Sequence, residues 1–345
     1  MTAASPHTSR PHGEHAHMPF GPRPASDTPK RACRAATRRR SAGAFALIAA
    51  AGLALAFPAL AAEPDASQPS PSPYSVAAKV DWRTRVLAVD VRLDMVRAGL
   101  RLPAGRLEAQ RLIDRDFPGI LESLVVDLPV DSYRSVGDCV ADGSIDVGDL
   151  LGLADAARPR DSSFTKDLRG FRVSYDLSLE TVAAIFVHHR TATVPPAPLE
   201  YRASRPFTGI VINAAAPLPV HGERVTGTVV PCLFPRLFDE GMALLLDRNG
   251  VDPAALAAWG EVGYAAALDP ASLARVGDDP LRIDATAAFG TDRTDLIIPR
   301  DEALKILALP ENRALLAAGK VMLIIDGSAL TQTLGGSEGN ARTDK

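Results

Sequence analysis

Cysteine is scarce in this chain, and its placement argues against one kind of membrane attachment. Only three cysteines occur among the 345 residues. None of them stands directly after the uncharged run at 41–62, so the sequence does not support a lipid-modified N terminus. Two cysteines, Cys139 and Cys232, lie downstream of that run. In an oxidising compartment they either form a disulfide across a long loop or remain two buried, unpaired thiols, and the sequence leaves both open.

Basic clusters are also missing from the part of the chain that follows the uncharged run. Residues 1–61 hold eight of the 38 basic residues and two of the 41 acidic ones. The remainder therefore has 30 basic and 39 acidic residues, a net charge of −9. A chain this acidic is a poor partner for nucleic acid or anionic lipid. Aromatic residues make up only 5% of the sequence, so Ala, Leu and Val must fill most of the core.

The uncharged run has the three-part layout of a secretory signal peptide. Arg38–Arg40 form a basic flank, and the run that follows is rich in alanine. The Ala-Leu-Ala sequence at 59–61 supplies the small residues of a signal peptidase site. We expect cleavage between Ala61 and Ala62, and an uncleaved N-terminal anchor helix over 38–61 is the alternative.

Either outcome exports the bulk of the chain across the inner membrane, into the periplasm or cell envelope. After cleavage, no further segment is expected to insert into a membrane. The composition predicts a disordered leader at 1–37, a signal-peptide core at 38–61, a Pro/Ser linker at 62–77, an N-terminal lobe at 78–192, a Pro-rich joint at 193–206, a C-terminal lobe at 207–330 and a disordered tail at 331–345. Met18 is an alternative start within the leader.

Local periodicity predicts an α+β fold. Apolar residues alternate over 87–95 and 171–180, which indicates strands with one buried face. Between them, residues 103–126 show helical spacing, with Pro118 expected to kink or end the helix. The N-terminal lobe is therefore strand–helix–strand with a hairpin. The second lobe is expected to be a mixed sheet with a βαβ unit at 294–326.

The segment at 138–149 has two competing interpretations. Asp138, Asp142 and Asp149 fall at positions 1, 5 and 12 of a calcium-binding loop of EF-hand or dockerin type. Position 3 of that loop should supply an oxygen ligand, but here it is Val140. Alternatively, Asp142-Gly143 forms the turn of a β-hairpin. The sequence favours the hairpin over the calcium loop.

Candidate catalytic residues are sparse and scattered. In the C-terminal lobe, His221, Asp239 and Glu240 would make an acid–base set if the fold brought them into one cleft. Cys232 with His221 is a further imaginable thiol–base pair. Nothing in their spacing specifies that geometry, so an exported hydrolase remains an alternative hypothesis.

The order of several segments resembles the envelope lipoprotein and flagellar T-ring-like families. The N-terminal half carries "PAGRLEAQRLI" and then "LPVDSYRSVGD", and the second half carries "FTGIVINAAAPLPVHG", "PCLFPRLFDEGM", "VGDDPLRIDA" and "TDLIIPRDEALKIL". The resemblance spans most of residues 79–326. It implies a non-enzymatic envelope component tied to flagellar or other surface structures, and it supplies no site residues. This chain departs from the lipoproteins because it lacks their lipid-acceptor cysteine.

We therefore expect an exported, non-enzymatic envelope protein that acts as a structural or interaction module. Its expected partners are other envelope proteins, and no cofactor or metal is expected. The exported hydrolase and a calcium-dependent binding module are the alternatives. The sequence does not specify the oligomeric state.

Overall fold

A computed structural model describes residues 72–101, 105–200 and 202–335. The predicted leader, signal peptide and cleavage site at Ala61 and Ala62 lie outside these residues. None of the helices in the described ranges is long and apolar enough to cross a bilayer.

The N-terminal half is built on an antiparallel sheet of five strands in the order β15–β1–β2–β4–β3. The strands are β1 (Tyr74–Asp81), β2 (Val86–Asp94), β3 (Arg158–Phe164), β4 (Gly170–Ser178) and β15 (Thr331–Leu334). In β2, Leu87, Val89, Val91 and Leu93 are buried, while the residues between them are more exposed. This is the predicted alternation, and it gives the sheet one face toward the core.

Helices cover the inner face of this sheet. They are α1 (Gly105–Val125), α2 (Val136–Ala141), α3 (Val147–Ala156) and α4 (Leu179–Ala184). Helix α1 buries Ala109, Ile113, Phe117 and Leu121, spaced four residues apart, and packs on β2 and β4. The helix does not end at Pro118 but continues to Val125.

The hairpin predicted at Asp142-Gly143 is wrong. These residues join α2 to α3, and Asp142 is the C-cap residue of α2. Gly143 follows with φ of +76°, a backbone conformation that glycine adopts without strain. An Asp-Gly pair serves a helix C terminus as well as a hairpin turn, and here the caps on either side select the helices.

The second half contains two four-stranded sheets and a two-stranded ribbon. The parallel sheet comprises β5 (Ile210–Ala214), β10 (Gly263–Ala265), β11 (Leu281–Asp284) and β14 (Val321–Ile325). The mixed sheet comprises β8 (Leu237–Asp239), β9 (Leu244–Leu246), β12 (Ala287–Phe289) and β13 (Asp295–Ile298). The ribbon pairs β6 (Leu218–Pro219) with β7 (Thr226–Gly227). The helices are α5 (Pro253–Trp259), α6 (Pro270–Val276), α7 (Arg300–Ala308) and α8 (Pro310–Ala317), with 3₁₀ turns at Arg248–Gly250 and Gly327–Leu330.

The strands at either end of the predicted βαβ unit at 294–326 lie in different sheets. Strand β13 belongs to the mixed sheet and β14 to the parallel sheet, and α7 and α8 connect them. A connection within one parallel sheet is instead made by β10, α6 and β11. A continuous run of apolar residues predicts a buried strand but does not show which sheet that strand joins.

Both chain ends of the described region extend the first sheet. Strand β1 begins at Tyr74, inside the segment predicted as a linker. Residues 331–334, predicted as disordered tail, form β15 and pair with β1. The polar Thr331–Leu334 stretch gains its order from this pairing and from the burial of Leu334.

The α+β fold class is confirmed. One hydrophobic cluster contains buried side chains from both halves, and the described residues all lie within one compact unit. The structure therefore has a junction between the first sheet and the second half.

Candidate functional site

A cavity of about 440 Å³ lies at this junction. Its walls come from the β1–β2 turn, the start of α4, the end of α5, helix α6, and strands β10 and β14. The lining includes the polar residues Arg83, Thr84, Arg85, Glu180, Asp269, Ser272 and Arg275 and the large side chains of Trp259, Tyr264 and Met322. Its walls therefore combine five charged side chains with two aromatic ones.

Hydrogen bonds within the β1–β2 turn position Arg83 and Arg85 at this cavity. The Asp81 carboxylate accepts hydrogen bonds from the backbone amides of Arg83 and Thr84, at 2.9 and 3.1 Å. Arg85 then takes φ of +56°, which is costly for a residue with a side chain. Its carbonyl accepts a hydrogen bond from the Leu179 amide, which ties the turn to the start of α4.

Arg85 enters the second half of the molecule. It is 6% exposed, and its Nε lies 2.5 Å from Oε1 of Glu180. Its Nη1 donates to the Val262 carbonyl at 3.3 Å. The other oxygen of Glu180 accepts a hydrogen bond from the Ser178 hydroxyl. The buried ion pair is thus completed by a contact with the second half of the molecule.

Gly260 makes room for this arginine. Its φ and ψ of 74° and 179° are almost exclusive to glycine. A Cβ at this position would overlap Nη2 of Arg85. The backbone at Gly260 and the side chain of Arg85 therefore depend on each other.

Arg275 closes the cavity from α6. Its three guanidinium nitrogens donate to the backbone carbonyls of Gly319, Trp259 and Gly260, at 2.8, 2.8 and 2.9 Å. The guanidinium also lies 5.3 Å from the centre of the Trp259 ring. Burial and then the Arg85 cation lower the pKa of Arg275 to about 9.

Asp269 and Arg83 form an ion pair at the opening of the cavity. Asp269 also caps α6, because it accepts hydrogen bonds from the amide and the hydroxyl of Ser272, both at 2.8 Å. These bonds, with a smaller contribution from Arg83, lower the pKa of Asp269 to about 2. The cap and the ion pair together keep this carboxylate ionised.

Each charged side chain that lines the cavity has at least one partner within the chain, and Nη2 of Arg85 is buried without a hydrogen-bond partner among the described residues. Arg83 pairs with Asp269, Arg85 pairs with Glu180, and Arg275 binds three carbonyls. General acid–base catalysis needs a proton-transferring group that can reach a substrate, and nucleophilic catalysis needs an activated nucleophile. The arrangement of these side chains suits the joining of two structural elements better than proton transfer.

A buried acid lies next to the junction. Glu261 is fully buried, and both of its carboxylate oxygens lack a hydrogen-bond partner in the described structure. Burial, followed by the carboxylates of Asp247 and Asp295, raises the pKa of Glu261 well above its usual range. Burial therefore favours the protonated, uncharged form of Glu261.

The two cysteines occupy separate buried positions as free thiols. Cys139 lies in α2. The backbone of Cys232 is held by the Tyr264 hydroxyl, which donates to its carbonyl at 3.1 Å and accepts from its amide at 3.2 Å. Burial raises the pKa of both thiols, which opposes thiolate chemistry. The structure corresponds to the unpaired arrangement that the sequence left open.

The aspartates of the calcium-loop hypothesis serve as local helix contacts. The Asp138 side chain completes a capping box with Ser135 at the start of α2. Asp142 accepts from the Ser144 amide at 2.9 Å, and Asp149 lies in the first turn of α3. Within 72–101, 105–200 and 202–335, no group of three or more His, Cys, Asp or Glu side chains is placed to hold a metal ion.

The hydrolase residues do not meet in the described structure. His221 packs edge-to-face on Phe289, with the ring centres 5.9 Å apart. Asp239 accepts from the Ala243 amide at 2.8 Å, and Glu240 accepts from the Arg300 amide at 3.2 Å. No contact joins His221 to either carboxylate in the part of the chain that the structure describes. His221 therefore makes an aromatic contact, Asp239 stabilises a turn, and Glu240 binds the first backbone amide of α7.

Most of the junction residues carry no local sequence signal. Arg85, Gly260 and Arg275 contact groups that are distant in sequence, so no local pattern marks them. Only Asp269 carries a local signal, because an aspartate before Pro270 is typical of a helix N terminus.

Two family models match the chain. Residues 73–185 match the model of the N-terminal domain of Treponema pallidum Tp0624, and residues 209–327 match the model of the second domain of Treponema pallidum Tp0624. The chain is therefore similar to two domains of Tp0624, and residues 186–208 lie between the matches. The search of curated proteins found no match. These findings give no support to the resemblance to envelope lipoprotein and flagellar T-ring-like families.

Proposed function

We propose that this protein is an exported, non-enzymatic interaction module of the cell envelope. The observation that carries the proposal is the arginine cavity, in which Arg85 binds Glu180 and the Val262 carbonyl and Arg275 binds three backbone carbonyls. Such a cavity joins the first sheet to the second half, so that the molecule can present surfaces to a partner as one body. The signal-peptide layout before Ala62 supports the proposed location.

Other contacts support a binding role over a hydrolytic one. His221 packs on Phe289, whereas Asp239 and Glu240 both contact Arg300, so the histidine and the two carboxylates are engaged in different structural contacts. Both thiols are buried, and burial disfavours their reactive form. A module of this kind acts through its surface, and its expected partners are other envelope proteins.

Fractionation of the native host tests this proposal. A C-terminally tagged chain should appear in the envelope or periplasmic fraction with an N terminus at Ala62 or within a residue or two of it. Reversible cross-linking of intact cells should then give a defined species heavier than the tagged chain that begins at Ala62. Recovery from the cytoplasm, or of the monomer alone after cross-linking, would contradict the proposal. Retention of Arg38–Arg40 on an envelope protein would instead support the N-terminal anchor.

A further inference from the structure

Two turns lie side by side at one end of the first sheet. One follows β2, and the other joins β3 to β4. The strand register pairs Asp94 with Gly170, and the Met95 amide then donates to the Arg169 carbonyl at 2.8 Å. The two turns therefore share one end of the sheet. We define this end as the sheet tip, which comprises residues 92–101 and 166–172.

Each turn of the sheet tip holds an apolar side chain in solvent. Val96 is 68% exposed, and Leu168 is 55% exposed. The Asp94 carboxylate accepts hydrogen bonds from the amides of Val96 and Arg97, at 3.0 and 3.1 Å. The Leu168 amide donates to the Thr165 carbonyl at 2.9 Å. Both turns therefore have a defined backbone conformation that presents these side chains to solvent.

Leu168 occupies a strained backbone position. Its φ is +59°, in the left-handed region that is costly for a leucine and that glycine or asparagine adopts more readily. Because its side chain is exposed, packing inside the protein does not offset this cost. Strained non-glycine residues concentrate at functional sites. The leucine at this position therefore indicates a contact outside the fold.

The sheet tip is positively charged, although the chain as a whole is acidic. It contains six basic and two acidic residues, a net charge of +4, whereas the whole chain after residue 61 carries −9. The exposed basic residues are Arg92, Arg97, Arg101, Lys166, Arg169 and Arg172. They come from two separate segments, so no run of basic residues appears in the sequence. Helix α1 begins against Met95 and adds Arg106 and Arg111 against Glu108.

Most of these cations remain available to a ligand. Arg97 pairs with Asp94 at 3.6 Å, and Arg172 pairs with Asp90 at 2.8 Å. Within the described ranges, no ion pair is assigned to the other four basic residues of the tip. The carboxylate of Asp167 accepts hydrogen bonds from within its own turn. The two acids of the tip thus shape the turns and leave an excess of positive charge at the surface.

This combination of side chains selects the kind of partner. Apolar side chains at the apex of a turn can enter the headgroup boundary of a bilayer, and the long stems of Lys and Arg let their charges reach lipid phosphates. Anionic lipids attract clustered basic residues. A polyanion in water would engage the cations alone and leave Val96 and Leu168 exposed. An anionic bilayer surface uses both parts of the tip.

The route of the chain places the same end near a membrane. The Asp94 amide donates to the Pro73 carbonyl at 2.8 Å, so the described chain begins beside the sheet tip. Residues 63–71 connect this end to the uncharged run at 41–62. Nine residues span at most about 30 Å. While the uncharged run occupies the membrane during the expected export, the sheet tip is therefore held close to the bilayer.

We propose that the sheet tip is a docking surface for the anionic face of a lipid bilayer. Val96 and Leu168 enter the headgroup boundary, and the surrounding Lys and Arg side chains bind lipid phosphates. The inference goes beyond the proposed function, because it requires no protein partner. It also departs from the expectation based on net charge, since the positive charge is concentrated at one end of the sheet.

Vesicle sedimentation tests this surface. The chain that begins at Ala62 is mixed with vesicles that contain phosphatidylglycerol, and with vesicles of phosphatidylcholine alone. We expect binding to the anionic vesicles to be about tenfold stronger than binding to the neutral ones at low salt. Salt at about 1 M should release the protein, because the Debye length then falls to about 3 Å.

Leu168→Asn separates a membrane role from a structural one. Asparagine tolerates a positive φ better than leucine, so the melting temperature should be unchanged or higher. Binding to the anionic vesicles should nevertheless fall about tenfold, because the apolar contact is lost. Leu199→Asn is the matched control, since Leu199 is also fully exposed but lies outside the sheet tip, and it should leave binding unchanged.

Charge reversal tests the basic residues. Lys166→Glu combined with Arg169→Glu should lower binding about tenfold or more. Arg224→Glu combined with Arg282→Glu makes the same change in net charge on exposed arginines of the second half and should have little effect.

Three results would overturn the proposal. One is an absence of binding to the anionic vesicles, and another is an equal loss of binding in the control variants. The third is binding that depends on the basic residues but not on Leu168, which would identify a surface for soluble polyanions instead. None of these results affects cross-linking to a protein partner, so the interaction module is tested separately.

Discussion

At the scale of single residues, the contact between Arg85 and Gly260 is the most informative in the molecule. Arg85 adopts a positive φ, and its side chain fills the space where Gly260 would otherwise carry a Cβ. Glycine adopts the conformation of Gly260 readily, whereas the positive φ of Arg85 is costly for a residue with a side chain. The ion pair with Glu180 and the hydrogen bond to Val262 offset that cost.

Replacement of Gly260 by alanine should show this dependence in a double-mutant cycle. We expect Gly260→Ala to lower the free energy of unfolding when Arg85 is present, because the new Cβ displaces the guanidinium. The loss should be smaller in an Arg85→Met background, with a coupling energy of about 1–3 kcal/mol. Urea unfolding of the four proteins measures it.

Gly277 provides the matched control for this cycle. It ends α6 with φ and ψ of 75° and −172°, close to those of Gly260, but its Cβ would meet Thr208 rather than Arg85. Gly277→Ala should therefore lower stability by the same amount in both backgrounds. An equal coupling at Gly260 and Gly277 would contradict the proposed contact.

Glu261 makes a second residue-scale prediction, about pH. The pKa of Glu261 is raised in the folded state, so the folded protein holds this proton more tightly than the unfolded chain does. Its contribution to stability is present below the unfolded pKa, near 4.5, and is lost as the pH rises toward the folded value.

Glu261→Gln should remove this dependence because the amide does not titrate. The wild-type free energy of unfolding, relative to that of the variant, should fall by up to about 1.4 kcal/mol per pH unit through that window. Urea unfolding of both proteins from pH 5 to pH 9 provides the comparison. Parallel curves would mean that Glu261 does not carry a raised pKa.

At the scale of elements, α2 and α3 illustrate how caps select a structure. Ser135 and Asp138 form the capping box of α2, and Asp146 caps α3 through the Gly148 amide at 2.7 Å. The Asp142-Gly143 pair between them ends one helix. Two of the aspartates that suggested a calcium loop, Asp138 and Asp142, therefore already accept hydrogen bonds from backbone amides.

Calcium should leave this region unchanged. We expect the melting temperature of the wild-type protein to be the same with and without millimolar calcium, because a ligand raises it only when it binds the folded state more tightly. Differential scanning fluorimetry is sufficient to measure it. A clear rise that Asp142→Asn and Asp149→Ala both abolish would establish the calcium loop instead.

The sequence predicted those elements whose signal is local. Strands β2, β4 and β14 could be predicted, because the alternating or continuous apolar residues in their sequences match the burial of their side chains. Strand β15 did not, because Thr331–Leu334 is mostly polar and becomes a strand only beside β1. The junction was hidden for the same reason, since Arg85 meets Glu180 and Val262 only after folding.

At the scale of the whole molecule, the contacts of Arg85 with Glu180 and Val262 connect the first sheet to the second half. Trp82 is buried beside the β1–β2 turn, and its ring lies edge-on to Tyr264 of β10, with centres 5.9 Å apart. The junction thus combines apolar contacts with the buried ion pair of Arg85. A compact unit of this kind can hold its surface residues in one orientation for a partner.

Equilibrium unfolding of two single-tryptophan proteins tests most directly whether the junction is structural. The chain has two tryptophans, so Trp259→Phe leaves Trp82 to report on the first sheet, and Trp82→Phe leaves Trp259 to report on the second half. With Arg85 in place, the unfolding curve from each tryptophan should coincide with that protein's own circular dichroism curve. In an Arg85→Met background, the fluorescence and circular dichroism curves should separate. Separate transitions in the proteins that retain Arg85 would contradict the account.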